Sequence, residues 1–210
     1  MTNLPKPFLY PIAPHVRKHG PSGYIDYKSY KPWLRDEFVF RCVYCMEREV
    51  WYPSRAGGFS CDHFDSKAIY PERTNDYTNL VYACLRCNAI KNMLPLHLNP
   101  SQVGYGEHIH VDDSGKIVAL TVEGQQLIEL FQLDVAPATD VRAEMQLILR
   151  LKREQPENPD IDALFKAKFG FPLELPDLYR TKPPGGNSNV GSEANSFHAQ
   201  RERRALPEYY

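Results

Sequence analysis

The stretch from Cys42 to Lys91 reads CVYC at 42–45, DH at 62–63, NL at 79–80 and CLRCN at 84–88. Two Cys-x-x-Cys pairs therefore stand on either side of an acid–histidine dyad. Paired cysteines in this arrangement are typical of one tetrahedral zinc ion held by four sulfurs, with each pair in its own knuckle. The sequence predicts a structural Zn²⁺ site made by four thiolates: Cys42, Cys45, Cys84 and Cys87.

The cysteine count also bears on the compartment. Five cysteines, an odd number, in a chain without a secretory leader favour a reducing environment in which thiolates bind metal. Oxidised Cys-x-x-Cys pairs are the alternative, but a redox enzyme needs one such pair beside a helix in a βαβ unit. The fifth residue, Cys61, is expected to serve in packing.

Composition and length indicate a globular chain with no membrane association. The 210 residues are 42% hydrophobic and 12% aromatic, enough to fill a core in one good-sized domain or two small ones. The longest aliphatic run, 117–120, is far shorter than the ~20 residues that a bilayer span needs. We expect a soluble, unexported, cytoplasmic protein.

Charge is divided unevenly along the chain. Residues 1–100 hold 13 Lys and Arg against 9 Asp and Glu, whereas residues 101–210 hold 12 against 17. Any contact with nucleic acid is therefore expected in the first half. A solvated surface of mixed charge is the alternative interpretation of so modest a difference.

An aromatic and basic segment precedes the first cysteine. After an extended arm over 1–23, aromatic residues alternate with Lys and Arg through 24–40, and Pro32 fits the first turn of a short helix. Such interleaving suits stacking on nucleic acid, but core packing against a small zinc site is the more frequent reason for it. The aromatic residues are Tyr24, Tyr27, Tyr30, Trp33, Phe38 and Phe40.

The cysteine-bounded region predicts two strands and a helix around the metal. The pattern favours a hairpin of strands over 47–52 and 59–64, turning at Gly57 and Gly58, followed by a polar loop over 66–78. A short strand over 80–83 then leads into a helix over 85–93 that begins inside the second knuckle.

The remainder of the chain predicts a small mixed region and a tail. Strands are expected over 106–111 and 116–122, with helices over 123–133, 140–152 and 160–170. Residues 181–196 are rich in Pro, Gly, Ser and Asn and indicate a flexible linker. The predicted class is α+β, divided into an arm over 1–40, a zinc-bearing core over 41–98, a hairpin and helices over 99–180, and a flexible tail over 181–210.

The polar residues inside the zinc region suit phosphodiester hydrolysis. Asp62 offers a hard oxygen ligand for Mg²⁺ or Mn²⁺, and the amide oxygen of Asn88 can be the second if its helix lies across from the strand. His63 is the natural general base, because an imidazole accepts a proton near pH 7. Adjacent strand residues point to opposite faces, so we expect the dyad where the strand ends.

Two further side chains complete this group. Asn79 is expected to orient the loop that follows His63, since its amide can bond backbone groups or the imidazole. Lys91, one turn along from Asn88, either contacts phosphate or is an exposed helix lysine. Together these residues predict a catalytic site next to the structural zinc.

These residues resemble the HNH endonucleases, also called ββα-metal nucleases. Zinc-bound members carry Cys-x-x-Cys, Asp/Glu-His, Asn-Leu and Cys-x-x-Cys-(His/Asn)-x-x-Lys in the order seen here, over about 50 of the 210 residues. The resemblance implies a DNA nuclease with His63 as base, one divalent ion on Asp62 and Asn88, and a structural zinc. Asn88 replaces the more frequent histidine, and Asp65 stands where many members have proline.

The resemblance also implies a biological setting, and it leaves other functions open. Similar stand-alone bacterial and phage proteins include effectors of anti-phage defence, which implies a protein partner in a defence complex. A nuclease held inactive by a partner through residues 101–210 is one alternative. A four-cysteine zinc module that binds nucleic acid or a protein partner without cutting is another.

Overall fold

The computed structural model describes residues 4–210 and shows small antiparallel sheets combined with helices, as the predicted α+β class requires. Backbone contacts divide the chain into two compact units. The zinc unit comprises Val16–Asn99 and Pro172–Pro207, and the helical unit comprises the residues up to His15, Pro100–Phe171 and Glu208–Tyr210. The boundaries expected at 40, 98 and 180 stay a prediction.

The centre of the zinc unit is a two-stranded sheet with one helix. Strand β1 (Phe59–His63) pairs antiparallel with β2 (Leu80–Cys84), in a register that sets Asp62 opposite Val81. A helix follows β2 without a break over Leu85–Lys91, where the Cys84 sulfur accepts a hydrogen bond from the Cys87 amide. These elements confirm the expected strand, strand and helix from residue 59 onward.

The strand expected over 47–52 is wrong. This segment forms a 3₁₀ helix, Glu49–Trp51, and its hydrogen bonds return to the first knuckle rather than to β1. The Cys42 amide donates to the Glu47 carbonyl, and the Glu49 amide donates to the Phe40 carbonyl. The Glu49 carboxylate is also buried between Arg35 and the Tyr82 hydroxyl, so this ion pair overrides the alternating pattern.

The aromatic segment forms core, as the more frequent interpretation predicted. Pro32 lies in the first turn of helix α1 (Lys31–Glu37), and the helix of the second knuckle, Leu85–Lys91, becomes α2. Four of the six aromatic side chains before Cys42 are buried, namely Tyr30, Trp33, Phe38 and Phe40. Tyr24 and Tyr27 remain half-buried.

The segment over 181–196, expected to be a flexible linker, is hydrogen-bonded through residues 185–188 to residues 20–23. The Ser22 amide donates to Gly186, the Gly185 amide donates to Ser22, and the Ser188 amide donates to Gly20. Glycine makes this approach possible, because Gly23 has φ +85° and a Cβ there would lie 2.3 Å from the Gly185 nitrogen. The low-complexity composition thus supplies backbone contacts in place of a hydrophobic core.

A buried polar network fixes the same segment to α1. The Asp36 carboxylate accepts hydrogen bonds from Lys18, from the His19 imidazole and from the Phe197 amide that begins a helix over Phe197–Glu202. The other ring nitrogen of His19 contacts the Ser192 hydroxyl at 2.8 Å. All three side chains of this network are buried: Ser192, His19 and Asp36. The network therefore holds three segments together and contains no exposed nucleophile.

Within the described residues, the helical unit contains a short hairpin, three α-helices and a 3₁₀ helix over Tyr105–Glu107. Strands β3 (Ile109–Val111) and β4 (Ile117–Ala119) precede α3 (Val122–Phe131), α4 (Ala136–Glu154) and α5 (Pro159–Phe169). Helix α4 begins four residues earlier than expected, because Pro137 fits its first turn. Short helices over Leu178–Thr181 (α6) and Phe197–Glu202 (α7) belong to the zinc unit. Within residues 4–210, no helix combines the length and hydrophobicity that crossing a membrane requires.

Candidate active site and metal centre

Four cysteine sulfurs converge at one end of the sheet. The sulfur atoms of Cys42, Cys45, Cys84 and Cys87 all lie within 4.8 Å of one another, and all four residues are buried. The two pairs come from different parts of the zinc unit: the first from the turn after α1, the second from the junction of β2 and α2. Val43 donates its amide to the Tyr82 carbonyl, which fixes the first turn against β2.

The sulfur geometry fits zinc. Four thiolates at the usual zinc–sulfur distance of about 2.3 Å form a tetrahedron with edges of about 3.8 Å. The Cys45 and Cys84 sulfurs are 3.8 Å apart. Burial raises the pKa of the Cys45 thiol well above its usual value, so four thiolates here need a cation to offset their charge. The cluster can therefore hold one zinc ion, whereas Cys61 lies outside it.

Asp62 is a buried carboxylate that faces helix α2. Its Oδ2 accepts a 2.7 Å hydrogen bond from the Tyr44 hydroxyl, and its Oδ1 lies 3.6 Å from the Lys91 ammonium. Burial raises the pKa of Asp62 to about 6, while Lys91 and Tyr44 act in the opposite direction. A carboxylate in this setting would be further stabilised as an anion by a bound cation.

Lys91 is neither of the two things that the sequence suggested. Its side chain is fully buried, with Nζ donating a 2.6 Å hydrogen bond to the His63 carbonyl. The expectations of an exposed helix lysine and of a phosphate contact both assumed that this face of α2 is open to solvent. Lys91 instead ties α2 to the end of β1 and places a positive charge beside Asp62.

His63 is the last residue of β1, as expected for the dyad, and its side chain points away from Asp62. Its Nε2 lies 2.9 Å from the Thr74 carbonyl, and its ring contacts Tyr27 edge to face with centroids 4.5 Å apart. A carbonyl oxygen only accepts, so Nε2 carries the proton of the neutral ring and Nδ1 is left as the acceptor. Burial lowers the pKa of His63, which favours this neutral form.

Asn79 closes the loop between the two strands. Its amide oxygen accepts from the Asp65 amide, and its amide nitrogen donates to the carbonyls of Asp65 and Arg73. The Arg73 guanidinium in turn pairs with the Asp65 and Asp76 carboxylates. Since Thr74 belongs to this loop, Asn79 acts on His63 through the loop and does not touch the imidazole.

Asn88 lies on α2 opposite Ser60, which is two residues before Asp62 on β1. Its amide nitrogen donates a 2.7 Å hydrogen bond to the Ser60 hydroxyl. Within the described residues, its amide oxygen has no hydrogen-bond partner. Ser60 and Asp62 share one face of β1, so the Asn88 amide lies against the face that carries Asp62.

These donors suit a hard divalent ion. One carboxylate and one amide oxygen are the ligand types that Mg²⁺ and Mn²⁺ accept, and the Asn88 oxygen is open to such use. His63 stands on the opposite face of β1, joined to the Asp62 side by the bond from Lys91 to its carbonyl.

Sequence reasoning missed three contributors to this site: Tyr44, Thr74 and the ring of Tyr27. Tyr44 lies between the first two cysteines and carries no pattern that links it to Asp62. Thr74 acts through its backbone carbonyl, which any residue type supplies. Tyr27 was recognised only as one aromatic among many, and its sequence distance from His63 hides the contact.

One known family matches part of the chain. Residues 42–93 match the family model described as HNH endonuclease. The matched segment contains the four clustered cysteines together with Asp62, His63, Asn79 and Asn88, and the cluster fits the zinc-bound type of this family. No curated protein sequence matches the chain.

Proposed function

We propose that the HNH domain of this chain is a metal-dependent endonuclease that hydrolyses DNA phosphodiester bonds. The observation that carries the proposal is the hydrogen bonding of the His63 imidazole. One ring nitrogen is engaged by the Thr74 carbonyl and the other has no partner within the described residues, at the end of a strand whose neighbouring residue is a buried carboxylate.

His63 acts as the general base. With Nε2 held by Thr74, the lone pair on Nδ1 takes a proton from the attacking water. The lowered pKa keeps the ring neutral and able to accept near pH 7. Asn79 contributes by closing the loop that presents the Thr74 carbonyl, so it holds the tautomer in place indirectly.

Asp62 and Asn88 would hold Mg²⁺ or Mn²⁺ between β1 and α2. Such an ion supplies charge stabilisation for the phosphate and the leaving oxygen. Tyr44 and Lys91 orient the Asp62 carboxylate, and Ser60 orients the Asn88 amide so that its oxygen faces away from the strand hydroxyl. The four-sulfur cluster, with zinc, holds β2 and α2 against the first knuckle and takes no part in the reaction.

The test is plasmid cleavage with a matched pair of histidine variants. Zinc-loaded protein is incubated with supercoiled plasmid and Mg²⁺ or Mn²⁺, alongside His63→Ala and His110→Ala, the latter an exposed histidine of the helical unit. Loss of a general base is expected to slow cleavage by about 10²–10⁴-fold. His110→Ala should cut like the wild type, and chelation of the divalent ion should stop both.

The same experiment separates cutting from binding. If no protein cuts, or if His63→Ala cuts as fast as the wild type, the nuclease assignment is wrong. Retention of plasmid in a gel-shift assay without cleavage would then favour the non-catalytic zinc module.

We extend the proposal to a cytoplasmic nuclease of anti-phage defence that acts with a protein partner, on the strength of the resemblance alone. Co-purification of a second protein with the full chain, and a change in cleavage rate on adding it, would support this setting. Full activity of the isolated chain, unaltered by any co-purifying protein, would count against it.

A further inference from the structure

Tyr27 touches the proposed base from outside the matched nuclease segment. It lies fifteen positions before Cys42, where the match begins, yet its ring centroid is 4.5 Å from that of His63. The two rings are inclined by 62°, an edge-to-face arrangement that aromatic pairs prefer. The contact therefore joins the aromatic segment to the chemistry of the HNH domain.

The backbone that carries Tyr27 is fixed on both sides. Tyr27 opens a 3₁₀ helix, Tyr27–Tyr30, whose start is capped by the Asp26 carboxylate accepting from the Lys28 amide. This helix continues directly into α1, and Tyr30 at the junction is buried. Asn75, in the loop that holds His63, donates to the Ile25 carbonyl. Tyr27 thus has a defined position relative to that loop.

The Lys67 side chain also contacts the Tyr27 ring. The Lys67 ammonium lies 4.6 Å from the ring centroid and 3.4 Å from the hydroxyl oxygen. An ammonium over a ring face is attracted by the negative face of the π-system. Because Lys67 belongs to the loop after β1, the same loop contacts both Tyr27 and His63.

One hydrogen bond does not determine the orientation of an imidazole. The bond from Nε2 to Thr74 fixes a single atom, and the ring can still pivot about that direction. A second contact on the ring removes this freedom and so determines where Nδ1 points. A base must lie within hydrogen-bond reach of its proton, and a misplacement of about 1 Å can cost about 10²-fold in rate.

We propose that Tyr27 is a positioning residue for His63, supplied to the nuclease site by the segment that precedes the zinc-bearing core. This proposal rests on the proposed role of His63 as the base. The ring, and not the hydroxyl, performs the function, because the contact to His63 is between the two rings. Lys67 supports Tyr27 and has a smaller effect.

The experiment uses the full zinc-loaded chain with three substitutions. Tyr27→Leu removes the ring, Tyr27→Phe keeps it, and Tyr179→Leu removes an exposed tyrosine on α6 as the matched control. We expect Tyr27→Leu to lower kcat by about 10²-fold with KM nearly unchanged. Tyr27→Phe should restore kcat to near the wild-type value, and Tyr179→Leu should not change it.

A second measurement does not depend on cleavage. In protein with isotope-labelled histidine rings, the His63 signals are assigned with His63→Ala. Loss of the neighbouring ring shifts these signals through its ring current alone, so the readout is the motion of the imidazole, measured by relaxation of its labelled ring nuclei. Motion of the His63 ring should increase in Tyr27→Leu and stay unchanged in Tyr27→Phe and Tyr179→Leu. If the wild type fails to cut DNA, the nuclease function is wrong, and the ring motion alone decides whether Tyr27 orients His63.

Two results would overturn the proposal. Unchanged kcat and unchanged motion of the His63 ring in Tyr27→Leu would show that the contact has no effect on the imidazole. A raised KM at constant kcat would indicate that Tyr27 stacks on DNA instead of orienting the base.

Discussion

The sulfur cluster and the polar site share helix α2, but they are built in different ways. The four cysteine sulfurs are the same type of ligand and lie close together. Replacing any one of them therefore disrupts the whole cluster. The polar residues stand on two faces of β1, and each is held by a different partner: Tyr44 and Lys91 for Asp62, Thr74 for His63. The cluster therefore behaves as one cooperative feature, whereas the contacts of the polar site can be removed one at a time.

The largest effect is expected from breaking the cluster. Cys84→Ser removes one sulfur and should abolish zinc binding and unfold the zinc unit, because the binding energy of a structural zinc is largely folding energy. Zinc content by mass spectrometry and the thermal unfolding curve provide the measurement. Cys61→Ser is the control, since this buried cysteine lies outside the cluster and its substitution should leave the zinc content at one per chain.

The polar side of the comparison is tested next by Lys91→Met. This change leaves the buried Asp62 carboxylate without its cation and the His63 carbonyl without its donor, at an expected cost of about 3–5 kcal/mol in the free energy of unfolding. Chemical denaturation measures it, with the exposed Lys28→Met as control. A loss below about 1 kcal/mol would mean that Lys91 is not needed to balance Asp62.

Asn79→Ala should have a smaller effect that is confined to the loop. It removes the partners of two backbone groups of Asp65, at about 1–3 kcal/mol for each group left without a bond. Protease cleavage within 65–78 should become faster while zinc is retained. Glu72→Ala, which removes an exposed side chain of the same loop, should change neither; equal sensitivity of both variants would argue against the anchoring role of Asn79.

The smallest effect is expected for Ser60→Ala. Asn88 would lose the acceptor of its amide nitrogen at a half-buried position, which is worth about 0.5–1.5 kcal/mol. Zinc content should not change, because Ser60 touches no sulfur ligand. Loss of zinc in this variant would contradict the separation of the cluster from the polar site.

The parts of the fold that the sequence could predict are those dominated by local pattern. Alternation and β-branched or aromatic residues located β1 and β2, and the proline before Trp33 located α1. The strand expected over 47–52 failed because the buried Glu49 pairs with Arg35, a contact that no local pattern reveals. The prediction of a flexible linker over 181–196 failed because the segment forms backbone hydrogen bonds with residues 20–23. Glycine permits this pairing, but a glycine-rich sequence does not show which segment it pairs with.

For the candidate site, the sequence identified the residues but not the groups that they contact. The chemistry of four side chains follows from their residue types: Asp62, His63, Asn79 and Asn88. Their placement at the end of β1, in the loop and on α2 follows from where they stand in the predicted elements. The contacts of Tyr44 and Thr74 could not be predicted, since Tyr44 reaches Asp62 from the first knuckle and Thr74 acts only through its backbone carbonyl.

The four clustered cysteines, the order of the elements from residue 59 onward and the types of polar residue near them follow from the sequence alone. Residue type and close spacing within each knuckle are local properties, so they can be identified without the rest of the chain. Three contacts depend on the tertiary structure: Lys91 beside Asp62, Thr74 on His63 Nε2, and Tyr27 on the His63 ring. These are contacts between distant segments, and the free energy that selects them comes from burial and hydrogen bonding across the fold, not from any one segment alone.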